Sequence, residues 1–235
     1  MNRSEAPLLT IRYTAAFQLA FEVHTHQLRK GTLVPDVAHP MLVSALVLEA
    51  GGDEDYAIAA LLHDAVEDSD NGAVMLDRIR GQFRPRVASI VEACSDSSAT
   101  PGEAKPPWRE RKERYIAHLQ AADADALLVS ACDKLHNASA IVADMREIGV
   151  KVFDRFDASP ADEIWYHQEI CTVLSSRIRP TLAWKLRRVI IDMTELGNEL
   201  EITTQEQRAW ALQNAGRAPW LTMDTAPEGS KAARG

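Results

Sequence analysis

The chain is poor in the features that would place it outside ordinary globular proteins. It has only three cysteines, Cys94, Cys132 and Cys171, scattered through apolar stretches. That pattern argues against a disulfide framework and for reduced thiols packed as small core residues. No apolar run approaches the ~18 residues that cross a bilayer, and the opening MNRSEAPLLTIRYT lacks a basic segment followed by an apolar one. The expectation is a soluble, cytoplasmic protein with no membrane partner. Positive charge is also short: 26 Lys and Arg stand against 34 Asp and Glu, for a net charge of −8. Such a surface does not suit a nucleic acid, and an anionic ligand would need a local basic patch or a metal ion. No internal repeat and no strand-like alternation is visible. What remains is 235 residues that are 46% hydrophobic, enough for one good-sized core.

Nearly every segment has helical periodicity. Tyr13, Ala16, Phe17, Ala20, Phe21 and His24 recur at spacings of three and four, predicting an amphipathic helix over 11–26. QLRKGTLVPDVA reads as a loop. A second helix is expected over 40–49, with Pro40 in its first turn and Gly51-Gly52 as its stop. A third, capped by Asp53 or Asp55, is expected to end near Asp68. Further helices are expected over 71–82, 85–94, 108–119, 123–148, 161–177 and 181–196, with a short piece near Val152. A polar loop over 95–107, a last helix over 204–214 and a disordered tail from Ala218 complete the reading. The predicted fold is all-α, a bundle of about eight to ten helices. It forms one domain over residues 8–196, with 197–235 as a C-terminal extension.

One stretch stands out: AALLHDAVEDSD, residues 59–70. Read as a helix, it puts His63, Asp64, Glu67 and Asp68 within one sector of roughly 140°, with apolar residues behind. Three carboxylates crowded against an imidazole repel one another unless a cation reverses the sign. A solvated acidic helix end is the plainer alternative. A metal shell needs donors from elsewhere too. His39 sits at a loop-to-helix junction before Pro40, and Asp133 carries a charge inside the apolar LLVSACDKLHN. Each also has a plain reading, a capping or core histidine for His39 and an ion pair with Lys134 or Arg146 for Asp133. Two imidazoles and two carboxylates suit Mn, Fe, Co, Mg or Zn rather than copper.

The ordered set QLRKG, HP, LLHDAVEDSD and CDKLHN resembles the HD superfamily of metal-dependent phosphohydrolases. Within that superfamily it looks most like the hydrolase domain of the Rel/Spo stringent-response enzymes and the stand-alone small alarmone hydrolases. The likeness runs from about His24 to Asn137. It implies one metal, Mn²⁺ by preference, held by His39, His63, Asp64 and Asp133, with Glu67 and Asp68 as the pair that orients and deprotonates the attacking water. It further implies that Arg29, Lys30 and Asn137 hold the nucleoside and that Arg111 and Lys112 hold distal phosphates. Without the likeness, Arg29-Lys30 is a basic loop and the RERK segment a solvated helix face. His24 is read as support for the Arg29-Lys30 loop, not as a ligand.

The implied activity is hydrolysis of guanosine tetra- or pentaphosphate to GDP or GTP and pyrophosphate, by a stand-alone enzyme whose partner is a small nucleotide. His26, Asp36, Ser139 and Ala140 depart from the family pattern, at positions that shape the substrate end of the pocket. They leave room for a phosphatase of another nucleotide, such as the 2′-phosphate of NADPH. A sensor that binds a nucleotide without turning it over is the alternative of a different class.

Overall fold

Thr10, Asp53, Asn71 and Ser159 each accept a hydrogen bond from a backbone N–H two or three residues on, and each opens a helix. In the computed structural model, which describes residues 8–95 and 106–200, the chain is helical. The helices are α1 (Ile11–His24), α2 (Ala38–Glu49), α3 (Glu54–Leu62), α4 (Gly72–Phe83) and α5 (Pro85–Cys94), then α6 (Trp108–Ala121), α7 (Ala124–Ile148), α8 (Pro160–Ser175) and α9 (Pro180–Glu199). A short 3₁₀ helix, Gly149–Arg155, follows α7. Among the described residues the only β feature is a single antiparallel bridge, Leu28 to Pro35. The all-α expectation holds, and most helix bounds fall within two residues of those read from the sequence. The helix expected over 204–214, the tail after it and most of the 95–107 loop lie outside the described residues.

The described residues up to Pro106, with Ala122–Asp133, make one compact unit; Pro107–Ala121 and the residues from Lys134 onward make a second. In the first, α3 is the centre, and α1, α2 and α5 each pack against it. The run Ala57–Leu62 is buried on all sides, which explains its lack of polar residues. Small residues let the helices approach closely. A Cβ on Gly52 would sit 2.7 Å from Val47 Cγ1 and 3.2 Å from Leu128. Ser44 donates to the Ala57 carbonyl at 2.9 Å and lies 3.0 Å from the Tyr13 hydroxyl, tying α1, α2 and α3 together.

Two arginines fasten the ends. Arg12 of α1 reaches Glu54 at 2.8 Å, Asp55 at 2.6 Å and the Phe83 carbonyl at 2.7 Å. Arg86 of α5 bonds Asp53 at 2.7 Å and Asp125 at 2.9 Å while lying over the Tyr56 ring, and Tyr56 donates to Asp125. The start of α7 is thereby held to α3 and α5. In the second unit α8 packs against α6 and α9, around buried Ile164, Ile170, Leu174, Leu186 and Ile190.

One boundary is corrected. The third helix was expected to reach Asp68, but α3 stops at Leu62 and residues 63–67 form turns. The amide of Ala65 bonds Leu62 O at 3.0 Å, and that of Asp68 bonds Asp64 O at 2.9 Å. Asp64, Glu67 and Asp68 follow the negative end of the α3 dipole, where carboxylates disfavour continuation. The carboxylates are therefore carried on a turn rather than a helical face.

Candidate metal centre

Four side chains from three elements of the first unit converge. His39 comes from the first turn of α2, where Pro40 loses no helical hydrogen bond. His63 caps the end of α3, Asp64 follows it, and Asp133 comes from α7. His39 Nε2 lies 3.2 Å from His63 Nε2, 3.3 Å from Asp64 Oδ2 and 3.2 Å from Asp133 Oδ1. His63 Nε2 is 3.2 Å from Asp64 Oδ2 and 3.6 Å from Asp133 Oδ1. His39, His63 and Asp133 are buried, and Asp64 is the half-exposed member.

This donor set fits a divalent ion. Metal–ligand bonds of about 2.1 Å place neighbouring donors about 3.0–3.5 Å apart around a four- or six-coordinate centre. The separations here cover nearly that range. His63 Nδ1 donates to the Ala60 carbonyl at 2.8 Å, which turns the Nε2 lone pair toward the cluster, the second-tier bond that metal-binding histidines use. Arg146, one of the two partners that the plainer reading gave Asp133, bonds Asp192 at 2.8 Å.

The electrostatics of the protein without metal follow from the crowding. Burial alone would push the His63 imidazole below its ordinary value. Asp64, and hydrogen bonding to Asp133, outweigh burial and hold His63 well above it. Burial would raise Asp64, but His63 and His39 keep it far below the carboxylate range. The carboxylates thus favour the protonated form of His63, and a divalent cation at this cluster would compete with that proton.

The remaining candidates are placed as follows. Glu67 and Asp68 are exposed on the turn that follows Asp64. Although its side chain stays about a third exposed, the buried part of Asp68 and the Asp64 carboxylate push it above its ordinary value, with His24 opposing. Arg29 and Lys30 occupy the loop between α1 and α2, closed by Arg29 N–H to Val34 O and Asp36 N–H to Gln27 O, both at 2.9 Å. Arg29 Nη1 lies 3.6 Å from Asp36 Oδ1. A second convergent group, His24 with Asp36 and Asp68, is one that the sequence reading did not assemble. Its signal was present in Asp36, an acidic residue among apolar neighbours just before the HP pair.

Asn137, Arg111 and Lys112 belong to the second unit. There Lys112 Nζ lies 4.8 Å from the centre of the Tyr166 ring, and Lys134 Nζ lies 5.2 Å from that of Tyr115. Arg109 stacks over Trp165 and pairs with Glu113 and Asp162, so this member of the basic helix face is engaged in structure. All three cysteines are free, and burial raises the Cys171 thiol to about 12.

The model of the HD domain matches residues 16–159, more than half of the chain. The chain belongs to the HD-domain family. Among named proteins it is 33% identical over 122 residues to a probable guanosine-3′,5′-bis(diphosphate) 3′-pyrophosphohydrolase of Synechocystis, a stretch covering 52% of this chain and 16% of that one. It is also 33% identical over 127 residues to the mouse guanosine-3′,5′-bis(diphosphate) 3′-pyrophosphohydrolase MESH1, covering 52% of this chain and 65% of that one. The matched stretch is thus a small part of the cyanobacterial relative and just under two thirds of the mouse one. Among solved structures, a metazoan ortholog of SpoT described as hydrolysing ppGpp shares the fold, with a TM-score of 0.61 and 22% identity over 85% of this chain and all of that one.

Proposed function

We propose that this protein is a divalent-metal-dependent phosphohydrolase that removes the 3′-pyrophosphate of guanosine tetra- or pentaphosphate, giving GDP or GTP and pyrophosphate. The observation that carries the reading is the convergence of His39, His63, Asp64 and Asp133. The curated relatives that match at 33% identity and carry this activity in their names supply the substrate class.

His39, His63, Asp64 and Asp133 hold the ion, and Mn²⁺ suits their mixed nitrogen and oxygen donors. The ion supplies Lewis acidity toward the phosphoryl oxygens and brings the pKa of water into the neutral range. Glu67, on the turn beside the ligands, accepts the proton of the attacking water. Asp68, held above its ordinary value by burial and by Asp64, manages the proton at the leaving oxygen. Arg29 offers a planar guanidinium that can stack on a base, and Lys30 a mobile ammonium for phosphate. The assignments of Asn137, Arg111 and Lys112 to the nucleotide rest on their motifs alone, and single alanine variants test them through KM.

The decisive experiment presents Mn²⁺-loaded protein with guanosine tetraphosphate, NADPH and deoxynucleoside triphosphates side by side. Release of pyrophosphate from the first supports the reading. Turnover of another nucleotide with the first untouched replaces the substrate, and no turnover of any makes the protein a binding module.

A further inference from the structure

His24 is buried at the C-terminal end of α1, and its ring faces three oxygens. Its Nδ1 lies 2.6 Å from Gln27 Oε1, 3.5 Å from Asp36 Oδ2 and 3.6 Å from Asp68 Oδ2. Its Nε2 is buried with no hydrogen-bond partner among the described residues. Gln27 Oε1, at 2.6 Å, can only accept, so Nδ1 carries an N–H toward it.

That N–H bonds Gln27 Oε1, and the Asp36 and Asp68 carboxylates flank it just beyond hydrogen-bond reach, where two segments meet. On one side is the Gln27–Asp36 loop: Asp36 N–H bonds Gln27 O, the Asp36 carboxylate is 3.6 Å from Arg29, and Asp36 O accepts the His39 amide at 2.9 Å. On the other side is the turn from Asp64 to Asp68, closed by the Asp68 amide. The His24 ring edge stands between the carboxylates of Asp36 and Asp68, which repel each other where nothing separates them.

We infer that His24 is a positioning residue that locks the loop bearing Arg29 and Lys30 onto the turn bearing Glu67 and Asp68, with Asp36 as the loop's half of the lock. This deepens the proposed function and rests on it for the roles of Arg29 and Asp68. The nucleotide-holding loop and the proton-handling turn are then one unit. Displacing Asp68 by about 1 Å would cost up to about a hundredfold in rate. The two arms predict different kinetics. His24 touches both sides, so its loss affects kcat and KM. Asp36→Asn keeps an oxygen facing His24 but removes the charge beside Arg29, so its effect falls mainly on KM.

The test compares His24→Leu, which fills the space without a donor, with His24→Asn, which leaves space but returns an N–H near the position of Nδ1. Amide hydrogen exchange is read at Asp36 and Asp68 in the full chain. In His24→Leu both amides should exchange at least ~10-fold faster than in the wild type, and in His24→Asn both should stay within ~3-fold, as expected when one buried donor is lost or restored. A packing role predicts the reverse order of damage. Wild-type protection of either amide in His24→Leu, or equal loss in both variants, overturns the inference.

Kinetics on guanosine tetraphosphate then check the split. His24→Leu should lower kcat by roughly 10- to 100-fold. Asp36→Asn should raise KM by roughly 3- to 10-fold with kcat within about twofold. A fall in kcat for Asp36→Asn equal to that of His24→Leu also overturns it. If the wild type leaves this nucleotide untouched, the proposed function falls, while the exchange result still decides the lock.

Discussion

Titrating Mn²⁺ into chelator-stripped protein at several pH values separates a metal centre from an acidic cluster that merely resembles one. In the metal-free protein the His63 value is raised by Asp64 and Asp133 against the opposing effect of burial. A raised folded value means that the stability His63 contributes is fully present below its unfolded value of about 6.5 and is lost as pH rises through the folded value. Asp64 is lowered, so its contribution is present above its unfolded value of about 3.9 and is lost as pH falls through the folded one. The metal-free cluster is therefore at full strength between about pH 4 and 6.5.

A bound ion requires the neutral imidazole and must displace the proton. Affinity should then rise about tenfold per pH unit, or about 1.4 kcal/mol, for as long as His63 remains protonated in the metal-free state. Because that value is raised, the slope should persist above about pH 6.5, where an ordinary histidine has finished titrating. One Mn²⁺ concentration, set at a hundred times Kd at the highest pH and kept at every pH, should add about 2.7 kcal/mol there, roughly 5–10 °C in Tm for a chain of this size, and less at lower pH. Scanning calorimetry at about pH 5.5, 6.5 and 7.5, with and without Mn²⁺, reads both quantities. A metal-induced shift that does not change with pH, or that survives in His63→Ala, would refute the reasoning.

Four further outcomes are expected. Glu67→Gln should keep Mn²⁺ affinity within a few-fold but lower kcat by roughly 10²–10⁴, the range for loss of a general base. Equal loss of metal would make Glu67 a ligand, and direct metal analysis decides between the two. Gly52→Ala should destabilise by about 1–3 kcal/mol, because its Cβ would press on Val47 and Leu128; denaturant melts check this. Asn71→Ala should cost about 1 kcal/mol by removing the cap on the Val74 amide of α4, again read from melts. Arg84, between α4 and α5, has φ of 91° and ψ of 154°, a region that strains any residue with a side chain. Arg84→Gly should therefore raise stability by about 1 kcal/mol despite losing a 3.6 Å approach to Asp55. An unchanged Tm would contradict it.

The helices were legible in the sequence because their signals are local. Asp53 and Asn71 cap, Pro85 and Pro160 sit in first turns, and apolar residues recur at the helical period. The end of α3 was not legible for a related reason. Spacing places His63, Asp64, Glu67 and Asp68 together whether the chain continues as a helix or as successive turns, since the Asp64-to-Asp68 hydrogen bond has the same four-residue span in both. The pattern detects the cluster and is blind to the helix terminus within it.

His39 and Asp133 were legible for another reason. A histidine beside a helix-opening proline and a carboxylate in an apolar run are each costly unless something binds them, so local chemistry pointed to a partner that only the fold could supply. The His24–Asp36–Asp68 group announced itself only through Asp36, a carboxylate among apolar loop residues, and nothing in the sequence linked it to the other two. Asp68 lies four residues past Asp64 and reads as part of the same acidic patch. His24 sits at a position that periodicity assigns to the core, and Asp36 falls within a loop. Their meeting depends on two reversals of the chain: the turn after α1, closed by Gln27 N–H to His24 O, and the bridge of Leu28 to Pro35 that returns Asp36 to it. A candidate metal site can be seen in one dimension because each proposed ligand is anomalous where it stands. A positioning contact between residues that nothing in the sequence links becomes visible only when the loop closes.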